Sequence, residues 1–209
     1  MRKQGAFLLP YIVLLAISLY ALFSFEKLEL HALMNQWQNS RLDLPFWIIT
    51  NIGDGVTIAI LCVIIAFYRV RFGLILGLIS GLDGIVVQLL KKGPFAHLNR
   101  PAYFLDQMPD LQIMEGLYMN QNFSFPSGHT SAAFAFYFGL SLMVKNPWLK
   151  FACFLMASLI GYSRIFLSQH FLMDAVAGSL IGILIAYLVW ILFKKTGPVQ
   201  WMDRGVMRD

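Results

Sequence analysis

Apolar residues run along this chain in long blocks separated by short polar breaks, roughly at 6 to 24, 46 to 68, 72 to 90, 129 to 144, 148 to 163 and 171 to 193. Five blocks have plain spanning character and the sixth, 129 to 144, opens on polar residues. Most approach the ~20 residues that carry an α-helix across a ~30 Å hydrocarbon core. The pattern predicts one all-α domain over 1–209, an integral membrane bundle of six transmembrane helices. The first block follows a basic Met-Arg-Lys, as a signal peptide does, yet it is too long for such a segment and lacks a small-x-small cleavage site. A retained signal anchor is expected.

The breaks carry their own patterns. EKLELHALMNQWQNSRLDLPF, 26–46, mixes Leu, Met and Trp with charges and amides at helical spacing, which predicts a helix lying in the outer interface, with His31 as a polar interfacial residue. Gly73, Gly77 and Gly81 recur every four residues, as do Gly178 and Gly182, a spacing that lets helix backbones approach closely. The segment from Lys91 to about Phe125 is the longest loop, broken by Pro94, Pro101 and Pro109, and loops of that length are usually functional. A short cytoplasmic tail, 196–209, holds Trp201 as a possible interface anchor.

Composition agrees with a bilayer. The chain is 58% hydrophobic and only 13% charged, with a mean hydropathy of +0.67, outside the range of a soluble domain. An even number of helices puts both termini on one side. That side holds Arg2, Lys3, Arg69, Arg71, Lys145, Lys150, Lys194, Lys195, Arg204 and Arg208, ten of the 16 Lys and Arg, so the termini are expected in the cytoplasm. The net charge of +5 is mostly this asymmetry and does not read as a nucleic-acid footprint. Cys62 and Cys153 lie inside apolar blocks and imply no disulfide framework.

Three polar clusters fall on the outer side, where ionisable groups at a membrane boundary are costly and need partners. KKGPFAHLNRP, 91–101, leaves the third helix; PSGH, 126–129, begins the fourth; SRIFLSQHFLMD, 163–174, spans the turn from the fifth into the sixth. The 33 residues between His129 and Ser163 allow one helix in and one back, so the clusters return to the same face. His170 and Asp174, at i and i+4, are expected on one helix face about 6 Å apart along the axis. A carboxylate there accepts the Nδ1 proton and leaves Nε2 free to attack, which makes His170 a candidate nucleophile.

At PSGH, Pro126 suits a first helical turn, and the Ser127 and Gly128 amides are expected as unpaired donors at a helix N-terminus, a cradle for an anion. Arg164, Arg100 and one or both of Lys91 and Lys92 add positive charge; a phosphomonoester carries about −1.5 to −2, so three cations roughly match it. No carboxylate cluster has metal spacing, so neither metal nor cofactor is expected. His129 is left as general acid, protonating the leaving alkoxide and later assisting water.

The order of a Lys, then Arg100-Pro101, then Pro126-Ser127-Gly128-His129, then Ser163-Arg164 with His170 and Asp174 resembles the three-part signature of the type 2 phosphatidic acid phosphatase superfamily. The resemblance implies that His170 is the nucleophile, His129 the acid, and the basic residues with the PSGH amides the phosphate site. It departs at the first part: the position usually held by Lys is Gly93, with Lys92 and Lys91 one and two residues earlier. The motif core covers 91–174, and the six-helix pattern agrees with the membrane branch of the family.

Other polar residues have plainer readings. His97 is expected as a solvated loop histidine, Asp83 as a partner holding a motif Lys or Arg, and Asp54 as an acid at the membrane boundary without an assigned role. The expected activity is hydrolysis of a lipid phosphomonoester or diphosphate, such as phosphatidylglycerophosphate, phosphatidic acid, undecaprenyl diphosphate or a lipid A phosphate. The alternatives are a phosphotransferase using the same phosphoenzyme and a non-catalytic lipid-binding or flipping protein. Partners are then the lipid phosphate and the bilayer, with no nucleic acid, and the expected setting is a bacterial inner membrane with the site facing the periplasm.

Overall fold

The computed structural model describes residues 4–195. Regular structure in that range is helical: α1 (Gly5–Ser24), α2 (Lys27–Asn35), α3 (Ser40–Ile52), α4 (Gly55–Tyr68), α5 (Val70–Lys92), a 3₁₀ segment (Pro101–Gln107), α6 (Gly128–Met143), α7 (Pro147–Phe166) and α8 (Leu172–Lys195). Arg2, Lys3, Trp201, Arg204 and Arg208 lie outside the described residues.

Four helices, α1, α5, α7 and α8, are long and apolar enough to cross a membrane, and α3 with α4 forms a fifth candidate bent by 56°. α6 has only 16 residues, about 24 Å of helix. It is the central element, packed against α5, α7 and α8 with Phe134, Phe136 and Phe138 buried. Around the bundle Tyr20, Phe23, Val56, Leu89 and Leu184 stay exposed, a surface suited to lipid rather than water.

Close packing of α6 on α8 depends on two of the predicted glycines. A Cβ at Gly178 would stand 2.6 Å from the Ser127 carbonyl oxygen, and one at Gly182 2.7 Å from the Ala135 nitrogen. In α5 only Gly73 is used this way, against Cys62 and Ala66 of α4. Gly77 and Gly81 face outward with nothing within 4 Å. Each four-residue step turns the helix face by about 40°, so the spacing drifts off the contact.

Two expected elements differ. The block 46–68 is not one straight helix, because the Asp54 carboxylate accepts the Val56 amide at 2.9 Å and starts a new helix after Gly53. The segment 26–46 divides into α2 and the start of α3, and α2 buries Leu30, His31 and Asn35. His31 is therefore not an interfacial residue. The C-termini of α5 and α7 and the N-termini of α6 and α8 meet at one end; at the other, Lys150 donates to Gln4 at 2.8 Å and Arg71 to the Phe193 carbonyl at 3.4 Å.

Candidate active site

The turn after α7 is built on one carbonyl. The Gln169 and His170 amides both donate to the Arg164 oxygen, at 2.9 and 3.1 Å. Ser168, in the middle, has left-handed backbone with φ 51°. α2 braces it: His31 Nε2 and Asn35 Nδ2 lie 3.2 and 3.1 Å from the Ser168 Oγ, and Asn35 also donates to the Phe166 carbonyl at 2.7 Å.

His170 thus sits in a turn, not on a helix face as the i, i+4 spacing suggested. Asp174 reaches it from the first turn of α8. Its Oδ2 accepts the Phe171 amide at 3.0 Å, the reach of a third helical residue back to its own cap, and the Ser124 hydroxyl at 2.5 Å. The same oxygen lies 3.3 Å from His170 Nδ1, with both side chains almost fully buried. Burial, then the charges of Arg100, Lys91 and Arg164, push His170 well below the usual imidazole value, so it is neutral at pH 7. With Nδ1 turned to a carboxylate, the free lone pair is on Nε2.

Cations surround this pair. Arg164 donates through Nη1 to Thr50 Oγ1 at 2.7 Å, while its buried Nε has no protein acceptor among the described residues. Arg100 donates from Nε to the Asn122 carbonyl at 3.0 Å, and its amide to Gln121 at 2.8 Å; the Ser124 amide donates back to Leu98 at 2.8 Å, closing the long loop. Lys91 is buried and its charge acts on Arg100, Asp174 and Arg164. Lys92 is exposed on the outer face of α5 beside Ile85 and Leu89. Adjacent helical residues point about 100° apart, so only one of the two lysines turns toward the cluster.

PSGH differs from expectation in detail. α6 begins at Gly128 with Ser127 as its cap, and Pro126 precedes the cap instead of occupying the first turn. The Ser127 hydroxyl lies 2.8 Å from Thr130 Oγ1, and its amide donates to the Asp174 carbonyl at 3.0 Å. Ser127 is therefore engaged within the protein, tying α6 to α8. The amides without an acceptor among the described residues are those of Gly128 and His129. His129 is partly exposed, its Nε2 3.7 Å from Asp54 Oδ2.

Asp83 does not pair with a motif cation; it accepts the Ser131 hydroxyl at 2.5 Å and joins α5 to α6. His97 is exposed. No group of three or more His, Cys, Asp or Glu among the described residues is arranged to hold a metal. Sequence reasoning missed Ser124, Thr50 and Asn35. Ser124, two residues ahead of Pro126, had a local signal in its nearness to the motif, whereas Thr50 and Asn35 had none.

Comparison with known proteins adds a lineage to this geometry. An undecaprenyl-diphosphatase of Sulfolobus acidocaldarius is 27% identical over 185 residues, 85% of this chain and 83% of its own. Phosphatidylglycerophosphatase B of Bacillus subtilis is 32% identical over 155 residues, 68% of this chain and 70% of its own. The crystal structure of Aquifex aeolicus LpxE aligns with a TM-score of 0.70 at 32% identity, covering 80% of this chain and 97% of that one. The PAP2 superfamily model matches residues 72–198, a span that contains Lys91, Arg100, Ser127 to His129, Arg164, His170 and Asp174, and the chain belongs to the PAP2 superfamily.

Proposed function

We propose that the protein is a metal-independent membrane lipid phosphatase that works through a phosphohistidine at His170. The carrying observation is the buried His170–Asp174 pair at 3.3 Å beneath three cations, one of which keeps an Nε–H without a protein acceptor. A phosphate oxygen supplies that acceptor.

In this reading Arg164, Arg100 and Lys91 hold the phosphate oxygens together with the Gly128 and His129 amides. The His170 Nε2 lone pair attacks phosphorus, Asp174 stabilises the ring proton on Nδ1, and His129 protonates the departing oxygen. Water then cleaves the phosphohistidine with His129 as base. The whole chain forms one domain that crosses the membrane six times, with α6 as the sixth span and α3 and α4 together as another. The loop charges support cytoplasmic termini and a periplasmic site in a bacterial inner membrane. The relatives' names support a lipid phosphomonoester or diphosphate as substrate.

The test is phosphate release by purified protein from phosphatidylglycerophosphate, phosphatidic acid, undecaprenyl diphosphate and lipid A, with and without EDTA. Release that persists in EDTA and disappears in His170→Ala supports the reading. Wild-type rates in a folded His170→Ala protein refute the mechanism. Product analysis with a second lipid present separates hydrolysis from phosphoryl transfer.

A further inference from the structure

The break between α3 and α4 lies against the N-terminus of α6, outside the span 72–198 that the family model matches. Gly53 permits the approach: a Cβ there would collide with the Ile160 side chain and stand 3.5 Å from the His129 carbonyl oxygen. The next residue divides its carboxylate between two partners. Asp54 Oδ1 accepts the Val56 amide at 2.9 Å, which fixes the side chain as the cap of α4. Oδ2 then faces His129 Nε2 across 3.7 Å.

The other charged groups acting on His129 are cations: Arg164 from α7, Lys91 from α5 and Arg100 from the long loop. The neighbouring His170 is neutral and Asp174 is occupied by it. Among these groups Asp54 is the one carboxylate directed at His129. A bound phosphate dianion together with the Asp174 carboxylate offsets the three cations, and the charge left facing the imidazole is that of Asp54.

We propose that Asp54 is a positioning residue that holds His129 as an imidazolium oriented to protonate the leaving group, an inference that rests on the phosphatase reading above. As His170 Nε2 forms the bond to phosphorus, the bond to the bridging oxygen breaks and its electron pair stays on that oxygen, which takes the proton of His129. His129, now neutral, accepts a proton from the water that attacks the phosphohistidine, and the imidazolium is restored. In both steps Asp54 acts only through His129. The capped geometry keeps it aimed without a side-chain rearrangement between the two half-reactions.

The test compares two esters. Dioleoyl phosphatidic acid loses an alkoxide that needs a proton, whereas p-nitrophenyl phosphate loses a phenolate that does not. The readout is the ratio of their kcat/KM values, which excludes the later hydrolysis step and is independent of the folded fraction. Asp54→Asn keeps the helix cap, since Asn caps as well as Asp, and removes the charge. It is expected to lower the ratio about tenfold, part of the effect of a general acid. Asp54→Glu is expected to recover most of it, and Asp54→Asn in a His129→Ala background to lower it no further, because the two residues act as one unit.

An unchanged ratio in Asp54→Asn, including equal losses on both esters, overturns the role, as does an additive loss on top of His129→Ala. Wild-type protein that releases phosphate from neither ester refutes the phosphatase reading and this role with it. A normal wild type with an unchanged variant ratio refutes this role alone.

Discussion

Replacing Asp174 by Asn changes one atom of a buried site and tests the orientation of His170, the proposed nucleophile. Asp174 Oδ2 accepts from the Phe171 amide, the Ser124 hydroxyl and His170 Nδ1, at 3.0, 2.5 and 3.3 Å. An amide oxygen has two lone pairs, and the NH₂ beside it donates, so one of three converging donors loses its acceptor. A buried donor left unmade costs about 1–3 kcal/mol of stability. The chemical effect is larger: an amide N–H turned toward Nδ1 puts the ring proton on Nε2 and removes the attacking lone pair. The corresponding tautomer error in a hydrolase triad lowers kcat about 10⁴-fold, roughly 5 kcal/mol of barrier. The assay is phosphate release from phosphatidic acid in detergent micelles, on protein that elutes as a folded species. A folded Asp174→Asn protein with kcat within tenfold of wild type would refute the orienting role.

Three further outcomes are expected. Gly182→Val should abolish folding or activity because its side chain meets the α6 backbone, whereas Gly77→Val on the open face of α5 should change detergent stability by less than about 1 kcal/mol; equal effects would count against the α6–α8 packing. Lys91→Ala should lower kcat/KM about 10²-fold while Lys92→Ala stays within about twofold, and the reverse order in steady-state kinetics would move the phosphate contact to Lys92. Because His170 is held below its ordinary value by burial and then by neighbouring cations, the acid limb of kcat/KM should lie well below pH 6.5, and a limb at or above 6.5 contradicts the neutral buried nucleophile. Stability follows the same sign: between the folded and unfolded values the unfolded chain binds the extra proton, so this residue's contribution is complete above about pH 6.5 and erodes as pH falls.

Much of the candidate site was readable because its residues lie in short motifs at the ends of apolar blocks. Successive apolar blocks run in alternating directions, so the C-termini of α5 and α7 and the N-termini of α6 and α8 had to converge, and with them Arg100, His129, Arg164 and His170. Details of reach were less readable. The His170–Asp174 contact was expected from helical spacing, yet it forms through a turn, because Asp174 caps the start of α8 by way of the Phe171 amide. Ser127 looked like a phosphate donor and instead joins α6 to the Asp174 carbonyl. Asp83 looked like a counter-ion and instead meets Ser131.

The sequence by itself determined the membrane class, the meeting of the three motif clusters at one end of the bundle and the identity of the motif residues, since hydrophobic length and motif order are local properties of the chain. Tertiary structure decided which of two adjacent lysines turns inward, because a helix separates neighbours by about 100° and only packing sets its rotation. It also decided that α2 supports the turn carrying His170 through His31 and Asn35, and that a break at Gly53 brings Asp54 to His129. These partners lie roughly 70 to 140 positions apart in the chain, and no local pattern of polarity encodes a contact at that range.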